Sequence, residues 1–223
     1  MRVTATLQQV LLTHELATRA PHFVDDQALS AGLLKLTRKL SSSPHDVLQC
    51  AVEVALDLCR AQTVGLSMLE VEPQGEVFRW RAMAGSLASA LGSAMARNNS
   101  PCGMVIDANA PLMFAYPEHH FPFPGPVDPP IREVLLMPFH DQVGIPVGTL
   151  WVVAHNQERK FDAGDLHTLT ELTSLVTSAL TTLEKVGYVQ SVNAQIAYEI
   201  DEGIVRPRPA PQRGLSDNTS GAA

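Results

Sequence analysis

The residues best placed for chemistry lie between Asn99 and Pro122, in the stretch NSPCGMVIDANAPLMFAYPEHHFP. Ser100 is a favoured helix cap and Pro101 a favoured first helical residue, so Cys102 is expected in the first turn of a helix. Unpaired backbone N–H groups and the helix dipole stabilise a thiolate there, lowering the thiol pKa wherever the sulfur reaches solvent. The competing reading makes Cys102 a small apolar side chain packed beneath a loop. His119, His120 and His155 are read as hydrogen-bonding groups: an adjacent His pair is not a metal motif, and no second Cys lies close to Cys102, so no metal site is expected. Arg159 is read as a solvated partner for nearby acids. Phosphate-loop, nucleophile-elbow and protein-kinase signatures are absent, and the chain is expected not to be an enzyme.

The elements that must position these groups centre on residues 131–183. Val134, Leu135, Leu136, Met137 and Phe139 form an apolar run suited to a strand covered on both faces. The run Gly148 to His155 alternates: Thr149, Trp151, Val153 and His155 share one face, and Gly148, Leu150, Val152 and Ala154 the other. The first face suits a cavity, the second the close approach of a helix. Asp141, Gln142, Gly144 and Pro146 supply the turn between the two runs. A capped amphipathic helix follows, whose stripe of Leu169, Leu172, Val176, Leu180 and Leu183 is expected to serve a parallel homodimer.

Upstream, the spacing predicts helices over 4–19, ended by Pro21; over 25–40, capped by Asp25 or Asp26; and over 44–60, with Ser43 as cap and Pro44 in the first turn. Thr63 to Val71 and Glu76 to Met83 read as a hairpin turning at Pro73, Gln74 and Gly75, with Phe78, Trp80 and Ala82 on one face. The Ala-rich stretch from Ser86 to Arg97 is expected to be helical. Beyond Gly187, read as a helix interruption, Val189, Val192, Ile196 and Ile200 suggest one more amphipathic helix. Residues 203–223 have the composition of a disordered tail.

The chain has 223 residues, of which 45% are hydrophobic and 17% charged, which suffices for one good core with appendages. A net charge of −7 and the lack of a basic stripe argue against nucleic-acid binding. No apolar run reaches the length of a membrane span and no signal-peptide core is present, so a cytoplasmic, membrane-free protein is expected. Three cysteines, badly spaced, make no disulfide framework. Cys50 and Cys59 fall on opposite faces of one predicted helix and are read as buried hydrophobes.

Several of these stretches together resemble a known family, the GAF domains. Leu136 to Pro138, then Gly148, Leu150 and Val152, resemble the family's last two central strands, and Phe161 and Asp165 match its F-x-x-x-D helix start. The resemblance runs from about Ala28 to Leu183. Within the family, SPCG, P-E-x-x-F (Pro117, Glu118, Phe121), W-x-V-x-H (Trp151, Val153, His155) and R-x-F-D-A-x-D (Arg159 to Asp165) resemble a subgroup attached to bacterial sensor histidine kinases.

The resemblance implies an α+β fold with a central antiparallel sheet, helices on both sides and long flanking helices. It divides the chain into an N-terminal helical extension (1–24), the GAF domain (25–186), a C-terminal helix (187–202) and the tail (203–223). It places Cys102, Glu118, His119, Phe121, Trp151 and His155 around one ligand pocket. The implied function is non-enzymatic sensing, of an unidentified small ligand or of redox state, relayed through terminal helices to a histidine kinase or other signalling partner; the cofactor is unknown. One rival is a dimerisation or interaction module without ligand; another is a tetrapyrrole-binding photoreceptor or haem sensor. Covalent pigment attachment is disfavoured because Gly103, not His, follows Cys102, and Pro129 departs from the phytochrome Asp-Ile-Pro pattern. Asn156, Lys160, Phe161 and Asp165 echo only parts of the cyclic-nucleotide signature. The methionine sulfoxide reductases of the family need cooperating thiols, and only Cys102 is placed at the pocket.

Overall fold

In the computed structural model, which describes residues 5–42, 46–123 and 125–201 with side chains up to 183, the two apolar runs pair as expected. β5 (Glu133–His140) and β6 (Pro146–Ala154) are antiparallel, and the Asp141 carboxylate accepts from the backbone N–H groups of Val143 and Ile145 to hold the turn. With β1 (Thr63–Glu72), β2 (Gly75–Gly85), β3 (Ala94–Ala96) and β4 (Leu112–Ala115) they complete a six-stranded antiparallel sheet, order β3-β2-β1-β6-β5-β4. The two faces of β6 divide as its alternation predicts. Leu150, Val152 and Ala154 join one core, under α2 (Asp26–Ser42), α3 (Val47–Leu58) and α5 (Ala163–Asp201). Trp151 and Val153 join a second, with α4 (Pro101–Ala108) and the short N-terminal helix α1 (Leu7–Val10). Cys50 and Cys59 are both buried in the first core, and Asp25 caps α2 by accepting from Gln27 and Ala28.

Three local expectations are corrected. The stretch from Ser86 to Arg97 is not an α-helix: after a 3₁₀ turn at Ala88–Ala90 its end becomes β3, because Ala94, Met95 and Ala96 complete the β2 edge and bury Met95. The N-terminal helix stops at Val10, since Leu11 bridges Phe114 and the Leu12 N–H donates to the Met113 carbonyl; edge-strand pairing competes with further helix, which resumes only as a 3₁₀ turn at Thr13–Ala17. Strict alternation along β2 also fails. Leu66 faces Ala82 while Ser67 faces Trp80, so Arg81 is an extra residue in a β-bulge. Phe78 and Trp80 stay on the α4 side, whereas Ala82 turns to the helix-side core.

α5 runs unbroken through Gly187, as one interior glycine costs a helix only about 1 kcal/mol relative to alanine. Its stripe is not free for a partner: Leu169, Leu172, Val176 and Leu180 are buried against the chain's own sheet. The argument for a homodimer from that stripe therefore falls. Residues up to Leu183 form one compact unit and 184–223 a second, of which the backbone of α5 is described. The expected Ser43 cap and Pro44 first turn, the side chains of Val189 to Ile200, and the tail from 203 lie outside the described residues. Among the described residues no helix is long and apolar enough to cross a membrane.

A buried ionic network joins the N-terminal segment to the sheet and to the start of α5. Both oxygens of Glu133 accept from Arg19 at 2.7 and 2.8 Å, the Phe161 N–H donates to one of them at 2.7 Å, and Arg19 also donates to the Phe161 carbonyl at 2.6 Å. Removing one partner of such a pair strands the other charge away from water. Arg19→Met, which keeps the aliphatic stem, is expected to cost about 3 kcal/mol in chemical denaturation. A loss below about 1 kcal/mol would show that Glu133 finds solvent without Arg19.

Candidate functional site

The start of α4 follows its sequence signals: the Ser100 side chain accepts from the Gly103 N–H at 3.0 Å, and Pro101 opens the helix. This directs Cys102 onto the sheet, where the Thr149 hydroxyl donates to its sulfur at 3.2 Å. Next to it the Trp151 indole N–H donates to the Ser67 hydroxyl at 2.8 Å. Ser67 sits opposite Thr149, and Gly65 opposite Trp151, so strand register alone brings these four residues to one face. A Cβ at Gly65 would lie 2.1 Å from the indole ring, which shows how closely Trp151 lies over that strand. The thiol is buried, and burial pushes its pKa up; its hydrogen bonds with Thr149 and Ser67 offset this only in part. The expected thiolate stabilisation at the helix start required solvent at the sulfur, and the packing withholds it.

Above this floor is a cavity of 440 Å³, within the size range of small-molecule sites. Cys102 and Trp151 line it, together with Trp80, Met95, Ile131 and Leu136, and Trp80 meets Trp151 edge-on at 6.1 Å between ring centroids. The remaining sequence-predicted residues are placed around the cavity rather than in its lining. Phe121 is buried edge-on against Phe114, and the exposed His119 ring stacks on Tyr116. The Glu118 carboxyl, held up in pKa by burial, accepts from the Ile131 backbone, while its Oε2 has no partner among the described residues. His155 contacts the Pro130 carbonyl through Nδ1 and the Thr63 hydroxyl through Nε2, at 3.0 and 2.8 Å. A carbonyl can only accept, so Nδ1 carries hydrogen and His155 pins the loop that forms one cavity wall.

Sequence reasoning missed Trp80, whose inward orientation depends on the bulge, and the loop residues Val127 and Asp128 at the cavity. The partial cyclic-nucleotide echo belongs to a different structure, the start of α5. The Asp162 carboxylate accepts from the Gly164 N–H, the Asp165 carboxylate accepts from the Asp162 N–H, and Arg159 pairs with Asp165. Arg159 is thus a partly buried clamp rather than a solvated partner, and it also donates to the Cys59 carbonyl. The ligand atoms of His22, Asp162 and Asp165 lie within 4.8 Å of one another, but mutual contacts and the helix cap already occupy them. At position 103 a Cβ would stand 2.1 Å from the Arg97 carbonyl oxygen, so this helix start admits no histidine after Cys102.

Two predictions test this geometry. Gly65→Ala is expected to displace Trp151, shift the intrinsic fluorescence and cost roughly 1–3 kcal/mol by overpacking; unchanged emission would contradict the contact. With its thiol pKa raised, Cys102 is expected to resist alkylation in the folded protein at neutral pH and to react only above the ordinary thiol range or on unfolding. Rapid neutral labelling of Cys102, located by peptide mapping, would refute its burial.

A search of curated proteins finds no match. Solved structures with the same fold include the GAF domain of an Acinetobacter phosphoenolpyruvate-protein phosphotransferase, with TM-score 0.57, 15% identity, and 72% of this chain and 97% of that one covered. Free methionine-R-sulfoxide reductase from Neisseria meningitidis, solved with its substrate, has TM-score 0.57 and 16% identity over 75% of this chain and 98% of its own. The phycoerythrobilin-bound GAF domain of a cyanobacterial phytochrome has TM-score 0.52 and 14% identity over 70% and 97%. The reductase overturns one expectation: this fold houses catalysis, so missing signatures of other enzyme classes do not exclude an enzyme. The model of the GAF domain family matches residues 41–181, more than half of the chain, and the chain belongs to that family.

Proposed function

We propose that this GAF domain is a sensory module that binds a small organic ligand in the cavity between α4 and the β1–β6 sheet face. The observation that carries the reading is the 440 Å³ apolar cavity floored by Trp151 and Cys102. Cys102 acts there as a contact residue, since burial disfavours the thiolate that redox sensing needs. Glu118, Phe121 and His155 support the wall from behind, and His119 lies at its outer edge. Occupancy is relayed through the sheet to α5, since Phe161, two residues before that helix, donates its N–H to Glu133 of β5. The SPCG and W-x-V-x-H motifs favour a cytoplasmic partner of the histidine-kinase type. A homodimer would need a surface other than the buried α5 stripe.

The experiment is native mass spectrometry of the full chain as purified, followed by small-molecule screening read by intrinsic fluorescence. Both tryptophans of the chain line the cavity, so emission reports on this site. A copurifying adduct or a saturable hit lost in Trp151→Ala and weakened in Cys102→Ser is expected. Hits indifferent to both substitutions would move the ligand elsewhere and favour a module that works by protein contact alone.

A further inference from the structure

Building on the proposed cavity, we infer that its ligand is an organic cation with a flat apolar body, and that Asp128 and the Trp80–Trp151 pair select it. Among the described lining residues there is no Lys, Arg or His; Asp128 is the one charged group, and Ser89 and Ser93 add hydroxyls. No hydrogen bond or ion pair engages the Asp128 carboxylate among the described residues, so it is available to a ligand.

The cations of neighbouring stretches are committed elsewhere. Arg79 and Arg81 pair with Glu70, Arg97 pairs with Glu76 and Asp107, and Arg132 donates to the Tyr116 hydroxyl while lying over that ring. An anionic ligand, whether a phosphate ester or a pigment bearing carboxylates, would enter an apolar cavity with no counter-charge and face Asp128. Desolvating an unpaired anion there is unfavourable. A cation meets the opposite conditions. The two indoles meet edge to face at 69° and both line the cavity, and indole π systems attract positive charge most strongly among aromatic side chains. Asp128, exposed in the cavity lining, attracts the same charge, and the apolar side chains of the rest of the lining accept the ligand's body.

The test uses three probes that share one biphenyl body: 4-biphenylmethylammonium, 4-biphenylmethanol and 4-biphenylcarboxylate. Each is titrated into the full chain with tryptophan emission as the readout. The cation is expected to bind about tenfold tighter than the alcohol, and the carboxylate to bind weakest. Asp128→Asn, an exposed substitution, is expected to bring the cation close to the alcohol's affinity while leaving the alcohol unchanged. If the alcohol binds but the carboxylate equals or exceeds the cation, or if Asp128→Asn leaves the cation's preference intact, the inference is overturned and the cavity reading survives. If none of the three perturbs the tryptophans, both fall.

Discussion

A buried carboxylate that cannot be left unpaired organises this domain. Glu133 opens β5 on the helix-side face of the sheet, where water does not reach it, and its stability there depends on complete hydrogen bonding. Arg19 and the Phe161 N–H meet that demand from segments on either side of Glu133 in the chain. The N-terminal segment is thereby fastened along β4, and the chain entering α5 is fixed against β5. His22 and Asp162 continue the same junction, so the first turn of α5 is held by capping, by Arg159 and by the N-terminal segment together.

The cavity depends on a different constraint, the register of β1 between its two neighbours. Gly65 gives the Trp151 ring room to lie flat, and Ser67 holds its N–H. The bulge at Arg81 then turns Trp80 to the same side, while Ala82 faces the helices that a larger side chain would displace. One irregularity thus serves both cores.

Elements with a strong local signal were legible without tertiary information. The Ser100–Pro101 helix start, the two hairpins and the two faces of β6 follow from capping, turn chemistry and alternation, because those rules act between residues close in sequence. The misreadings share one cause. Ala94 to Ala96 has helical composition but completes a sheet edge, and the segment after Val10 pairs with β4 instead of continuing its helix. In both places a long-range backbone partner outweighs a weak intrinsic propensity.

By itself the sequence determined the family, the two-faced sheet and the placement of Cys102 and Trp151 on its cavity side. Strand alternation and helix capping suffice for the two faces and for the helix start that carries Cys102, whereas the family and the meeting of Cys102 with Trp151 were legible through motif resemblance. Only the tertiary structure decided that the Cys102 thiol is buried, that Trp80 shares its cavity, that His155 anchors a loop, and that the α5 stripe is core. Each depends on burial or register set by residues distant along the chain. A spacing pattern fixes which side chains share a face, but the partner covering that face comes from the folded chain.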